Sequence, residues 1–133
     1  MRNKIKTAFA TNDGKTYNNS HFGDADYYDL YDVNSQEAVF LERIPNTIDE
    51  EQTHADPNKA KGIVGLLSNY GVSAVVSKVF GPNIKRIKNK FVCILMNNAT
   101  IDESLAFLSK HLLEFYKEWQ DSIDKKYFDL RQK

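Results

Sequence analysis

A single cysteine, three prolines and one tryptophan in 133 residues, with formal charges that cancel, narrow what this chain can be before any motif is considered. One cysteine excludes an intramolecular disulfide and, within one chain, a four-cysteine iron–sulfur site. Eighteen basic residues balance eighteen acidic ones, and the isoelectric point is near 6.8. Such a balance argues against a nucleic-acid or membrane-surface protein held by its overall field, although a local basic patch stays open. No apolar run approaches the roughly 20 residues of a membrane span. The start, Met1-Arg2-Asn3-Lys4-Ile5-Lys6, is basic but runs into a strand pattern without the apolar core of a signal peptide, so the expected location is the cytoplasm. The sequons at Asn18 and Asn98 then count as chance matches. Nucleophile-elbow, phosphate-loop and zinc-protease motifs are missing too.

What the chain does have is an unusual stretch, residues 11–26, in which Asn, Asp, Gly and Ser crowd around one histidine, His21. Asn, Asp and Gly tolerate left-handed backbone or bond their own main chain, so the stretch reads as a loop of defined turns. His21 is its only side chain that titrates near neutrality and also suits a transition metal. Phe22 can shield the imidazole, and Gly23 lets backbone approach a ligand.

A chain of this length is one domain with room for a sizeable core. Ile5, Thr7, Phe9 and Thr11 alternate with Lys4, Lys6, Ala8 and Ala10, which predicts a central strand ending at the Asn12-Asp13-Gly14 turn. The loop thus begins at a strand's C-terminal end, where open α/β sheets place their ligands. Residues 27–33 and 38–44 predict an antiparallel hairpin, because the connection at 34–37 is too short for a crossover. Pro45 closes it, and residues 46–55 read as a polar, mobile segment. Asp56-Pro57 starts a helix ending before Gly71, and a short strand follows at 72–77. Gly81-Pro82-Asn83 opens a short helix with Ile84 and Ile87 inward, and residues 91–96 form a last strand. Thr100 to Glu103 has capping-box spacing, and behind it Leu105, Leu108, Leu112, Phe115, Trp119 and Ile123 make a helical stripe. One helix over residues 100–128 would be about 40 Å long. Its second half then needs a partner, either by folding back or in another subunit. The sum is an α/β protein with a five-stranded mixed sheet and helices on both faces.

Four motifs in order, Thr11-Asn12-Asp13-Gly14, Ser20-His21-Phe22-Gly23-Asp24-Ala25, Asp56-Pro57-Asn58-Lys59-Ala60-Lys61-Gly62-Ile63 and Gly81-Pro82-Asn83, resemble the dinitrogenase iron-molybdenum cofactor biosynthesis family, which includes NifX and the C-terminal part of NifB-type proteins. The likeness runs from about Lys4 to Leu108. It implies a ribonuclease-H-like three-layer fold of strand order 3-2-1-4-5. It also implies a cytoplasmic, non-enzymatic accessory role: binding or carriage of an iron–sulfur or iron–molybdenum type cluster or its precursor, exchanged with donor and acceptor proteins. By that likeness His21 is the cluster contact, with Asn12, Asp13, Gly14, Ser20, Phe22 and Gly23 shaping its loop and Gly81, Pro82 and Asn83 standing at a second mouth. The chain departs from the family where Ser77-Lys78-Val79-Phe80 replaces a Gly-rich turn. It departs again after Leu113, so residues 1–113 are the shared domain and 114–133 a helical extension of it, able to pair two copies.

Residue type alone leaves His21 as either a loop hydrogen-bonder or a metal donor. His54 could reach the same mouth as a second ligand or remain a solvated loop residue. His111, beside the apolar stripe, reads as structural, and Cys93, inside Phe91-Val92-Cys93-Ile94-Leu95, as a buried core residue. Lys85, Arg86, Lys88 and Lys90 either steer an anion or form a solvated face. Two other functional classes stay open: a module binding a small anion or a protein without metal, and, more remotely, a metal-dependent hydrolase using Asp13, Asp24 and Asp26.

Overall fold

A computed structural model describes residues 3–47, 57–81, 84–121 and 127–131. The expectations for His54, Asp56, Pro82 and Asn83 lie outside the described residues. The elements are β1 (Lys4–Thr11), a 3-10 turn (Phe22–Asp24), β2 (Tyr27–Asn34), β3 (Ala38–Pro45), α1 (Pro57–Ser68), β4 (Ala74–Ser77), α2 (Ile84–Ile87), β5 (Val92–Leu95), α3 (Ile101–Lys110), α4 (Leu112–Asp121) and β6 (Phe128–Asp129).

The strands form one mixed sheet in the order β3-β2-β1-β4-β5-β6. β1, β2 and β3 pair antiparallel, whereas β4, β5 and β6 continue from β1 in parallel. Alternation in β1 sends Ala8 and Ala10 to one face and Ile5 and Phe9 to the other. On the first face they meet Ile63 and Leu67 of α1 and Ile87 of α2, together with Phe22 from the long loop. On the second face Ile101, Leu105 and Leu108 of α3 and Leu112 and Phe115 of α4 cover Phe9, Val76 and Ile94. The expected mixed sheet with helices on both faces is therefore present.

Two features differ from the sequence expectation. The sheet has a sixth strand, and the long C-terminal helix is broken at His111 (φ −112°, ψ 20°), although neither Gly nor Pro stands there. His111 stacks on Phe107, ring centroids 4.4 Å apart, and its Nδ1 lies 3.5 Å from Glu114. A twisted sheet presents a curved face, and the break lets both halves of the apolar stripe stay on it. Past α4 the chain returns as β6, where Leu130 N–H donates to Leu95 O at 2.8 Å and the Phe128 ring meets Phe115 edge-on at 5.1 Å. Leu112, Phe115 and Trp119 of the stripe thus pack within their own chain, while Ile123 lies outside the described residues. Thr100 caps α3 as expected, its hydroxyl accepting Glu103 N–H at 3.2 Å.

Truncating Phe115, 2 % exposed, should lower unfolding free energy by about 3–5 kcal/mol through lost burial and a cavity. Leu113→Ala, two residues away but 64 % exposed, should stay within about 0.5 kcal/mol of the parent. Denaturant titration of both variants checks this; equal losses would place the stripe in an interface between copies instead.

Candidate functional site

The loop after β1 is held at nearly every turn. Thr11 Oγ1 accepts Gly14 N–H at 2.9 Å and donates to Thr16 O at 2.6 Å. Asp13 takes Lys15 and Thr16 N–H on one oxygen, both at 2.8 Å, and the Thr16 hydroxyl on the other at 2.9 Å. These bonds, led by Thr16 N–H and then Lys15 N–H, draw its carboxyl from the ordinary 3.8 down to about 2. Asn12 Oδ1 accepts Asp26 N–H at 2.9 Å, tying the loop's two ends together. Gly14, at φ +78°, lies under the Arg43 guanidinium, which would collide with any Cβ there. Arg43 in turn grips the buried Asp29 carboxylate through Nε at 2.8 Å. Across the sheet, Tyr17 OH donates to Ser104 Oγ at 2.6 Å, anchoring the loop to α3.

The His21 end is built by main-chain carbonyls. Asn18, 2 % exposed, donates its amide to Ser20 O at 3.2 Å and His21 O at 3.0 Å. Tyr28 OH donates to Phe22 O at 2.8 Å. Asn46 Nδ2 donates to Gly23 O and Ala25 O, both at 2.9 Å. Phe22 is core, its ring 5.1 Å from that of Phe80. With the backbone on either side held and Phe22 sunk, the His21 side chain is left one-third exposed at the surface. Ser20 is exposed beside it.

His21 meets the second expected mouth directly. Gly81 has φ +75°, and a Cβ on it would stand 2.6 Å from His21 Nδ1 and 2.7 Å from Cγ. Only glycine permits both that backbone and that approach. Asp24 Oδ2 lies 3.9 Å from His21 Nδ1, within ion-pair reach when the ring is protonated. Loops from β1 and β4 therefore touch at the carboxyl ends of two parallel neighbours, where the chain leaves β1 toward β2 and leaves β4 toward β5. Open α/β sheets form ligand crevices at such points.

Beyond Gly81 opens a cavity of about 450 Å³. Its rim carries Lys85, Lys88 and Arg131, and no acidic side chain lines it among the described residues. Cys93 lies elsewhere, fully buried in β5, where burial pushes its thiol up to about 12; it offers no thiolate near neutral pH. Among the described residues no three His, Cys, Asp or Glu side chains are grouped to hold a metal ion. No helix among them is long and apolar enough to cross a membrane.

The structure thus brings His21 and Gly81 together, while Asn12, Asp13 and Gly14 are used in the loop's own turns. Sequence inspection missed Asn18 and Asn46, whose amides shape the loop, and the contribution of Tyr127 and Arg131 to the cavity. The sequence places Asn46 in a polar, mobile segment; its two 2.9 Å bonds fasten it instead. Nothing local distinguishes such an asparagine from a solvated one.

Two outcomes test this geometry. Gly81→Ala should destabilise by about 1–2 kcal/mol, the left-handed penalty for a residue with Cβ, and shift the His21 ring resonances; unchanged ring signals would separate the two loops. The Asp13 carboxyl titrates lower folded than unfolded, so its stabilising contribution is full above about pH 4 and lost as pH falls toward about 2. Acid titration of stability should accordingly be steeper over that window for the parent than for Asp13→Ala.

Comparison with known proteins adds a lineage to the geometry. Residues 3–111 match the model of a family described as dinitrogenase iron-molybdenum cofactor. No curated protein sequence matches the chain. The fold is similar to a crystal structure of a Methanocaldococcus jannaschii protein provisionally named a dinitrogenase: 17 % identity, 82 % of this chain and 91 % of that one covered, TM-score 0.59. An NMR structure of the same protein gives 14 % identity, coverage of 82 % and 90 %, and a TM-score of 0.55. At these identities the likeness speaks for the fold alone.

Proposed function

The chain belongs to the dinitrogenase iron-molybdenum cofactor family, and from that premise we propose that it is a cytoplasmic accessory protein that carries an iron–sulfur or iron–molybdenum type cluster, or its precursor, as transient cargo. The observation that carries this reading is His21: one-third exposed, seated on Gly81, at the carboxyl ends of β1 and β4. A metal–sulfur cluster is a compact anion with exchangeable metal sites. A neutral imidazole nitrogen is a suitable donor to such a metal. The three ring atoms nearest the Gly81 position are Nδ1, Cγ and Cδ2.

The remaining donor set suits carriage rather than residence. A cage of thiolates would hold a cluster firmly, and the lone thiol here is sealed in the core. One imidazole with cations nearby gives attraction and orientation while leaving other metal sites open to a donor or acceptor protein. Phe22 and Gly23 act by placing His21, and Asn12, Asp13 and Gly14 by fixing the loop it hangs from. Ser20, exposed next to His21, is assigned to the mouth. His54, Pro82 and Asn83 remain proposed neighbours of the same mouth.

Hydrolysis is the weaker reading. Paired-metal hydrolysis needs free carboxylates converging on shared ions. Asp13 gives both oxygens to its own turn, and Asp29 is bound by Arg43.

Anaerobic titration with a preformed iron–sulfur cluster, followed by visible absorption and metal analysis after desalting, tests the carrier role. The parent should retain cluster, and His21→Ala should retain at least about tenfold less, the scale of losing a metal contact, with unchanged circular dichroism. Equal retention by both would remove His21 from the mechanism.

A further inference from the structure

We infer that Asn18 is the positioning residue of the candidate site: one buried side-chain amide grips the two peptide units that flank the His21 Cα and so fixes the direction in which the imidazole leaves the main chain. The geometry stands on the loop alone, and its consequence for cargo rests on the carrier reading above.

Peptide units are planar, so two of them, hinged at the Cα they share, define a residue's φ and ψ. At His21 the carbonyls of those two units are Ser20 O and His21 O, and both accept from Asn18 Nδ2, at 3.2 Å and 3.0 Å. Pinning both planes holds His21 at φ −65° and ψ 158°, and with them its Cα–Cβ bond. Asn18 is in turn tied to the sheet, its main-chain N–H donating to Ala10 O at 3.4 Å. Position therefore passes from β1 through Asn18 to the two peptides around His21. Gly81 meets the ring itself, so backbone and ring are set from different elements.

This grip comes at a cost in stability. Asn18 Oδ1 is buried and accepts no hydrogen bond among the described residues, and an unmet acceptor in the interior is destabilising. Neither carbonyl that the amide serves depends on it alone. His21 O also accepts Asp24 N–H at 2.9 Å, and Ser20 is an exposed residue with water at hand. A side chain serving stability only has nothing to gain by orphaning one group to bond two that have other recourse. What is gained is direction. Groups that orient a metal donor have this part at metal sites generally, where losing one lowers affinity about tenfold or more.

Asn18→Leu replaces the amide with an apolar side chain of similar size and removes the grip and the unmet acceptor together. Its thermal midpoint should lie close to the parent's, because the two lost bonds are offset by the lost orphan. In the cluster-free protein, NMR should nevertheless show altered His21 ring resonances and an altered HN–Hα coupling at His21, the coupling that reports φ. Asn19→Ala, at the exposed neighbouring position, should leave both unchanged. After loading with a preformed iron–sulfur cluster, Asn18→Leu should retain about tenfold less than the parent, and pulsed electron paramagnetic resonance of the reduced cluster should lose the imidazole nitrogen coupling. Parental ring signals and coupling in Asn18→Leu overturn the inference whatever the cluster does. So does parental retention by Asn18→Leu where His21→Ala loses the cluster, and so does a thermal midpoint that falls in step with retention, which makes Asn18 structural only. Equal retention by His21→Ala and the parent overturns the carrier reading instead, and the NMR arm then decides the geometry by itself. Asn18→Ala, which needs no extra space, repeats that arm should the leucine fail to fit.

Discussion

The parallel pairing of β1 with β4, Thr7↔Ala74 through Phe9↔Val76, is the constraint on which the candidate site depends. Two parallel strands end on the same side of a sheet, so the loops that follow them must share that side. Here the loop after β1 turns back toward β2 and the loop after β4 leads on to β5, and the space between their departures is where His21 rests on Gly81. An antiparallel neighbour for β1 on that side would have sent the two motifs to opposite ends of the molecule. The contact is specific because a residue without a side chain, at φ +75°, lets an imidazole lie against the main chain.

Holding a loop of this length in one shape requires polar partners throughout, since main-chain groups withdrawn from water need hydrogen bonds. Asn18, Asn46 and the Tyr28 hydroxyl provide them from beneath, and Asp13 and Thr11 provide them from within. The Asp13 carboxylate is spent on the loop's own turn. What remains for function is the side chain that this network leaves at the surface.

The C-terminal residues change both the sheet and its open end. β6 extends the parallel half by one strand, so the hairpin side and the crossover side of β1 become unequal. The same residues place an arginine and a tyrosine over the end of β5. Conversion of a sheet edge into a cavity wall is available to any chain that carries one more short strand past its last helix. Two apolar anchors, Phe128 against Phe115 and Leu130 packed on the second core, seat it together with its backbone pairing to β5.

Much of this was legible in the chain. Alternation in β1, the short hairpin connection, Gly71 at φ +75° closing α1 and Thr100 capping α3 are local signals, because turns, caps and strand faces depend on residues a few positions apart. The motifs in residues 11–26 and at Gly81 carried the family likeness, and with it the choice of His21. The sixth strand and the break at His111 were not legible: a stripe at helical spacing looks the same whether it runs straight, bends or stops, and a two-residue strand has no period to detect. Nor does sequence show that Asn46 serves residues more than twenty positions earlier, or that Tyr127 and Arg131 share a cavity with Lys85. Residue order alone settled the local elements and the kinship; only the tertiary structure decided which distant side chains meet, because strand pairing and the curvature of a packed sheet are properties of the whole chain at once.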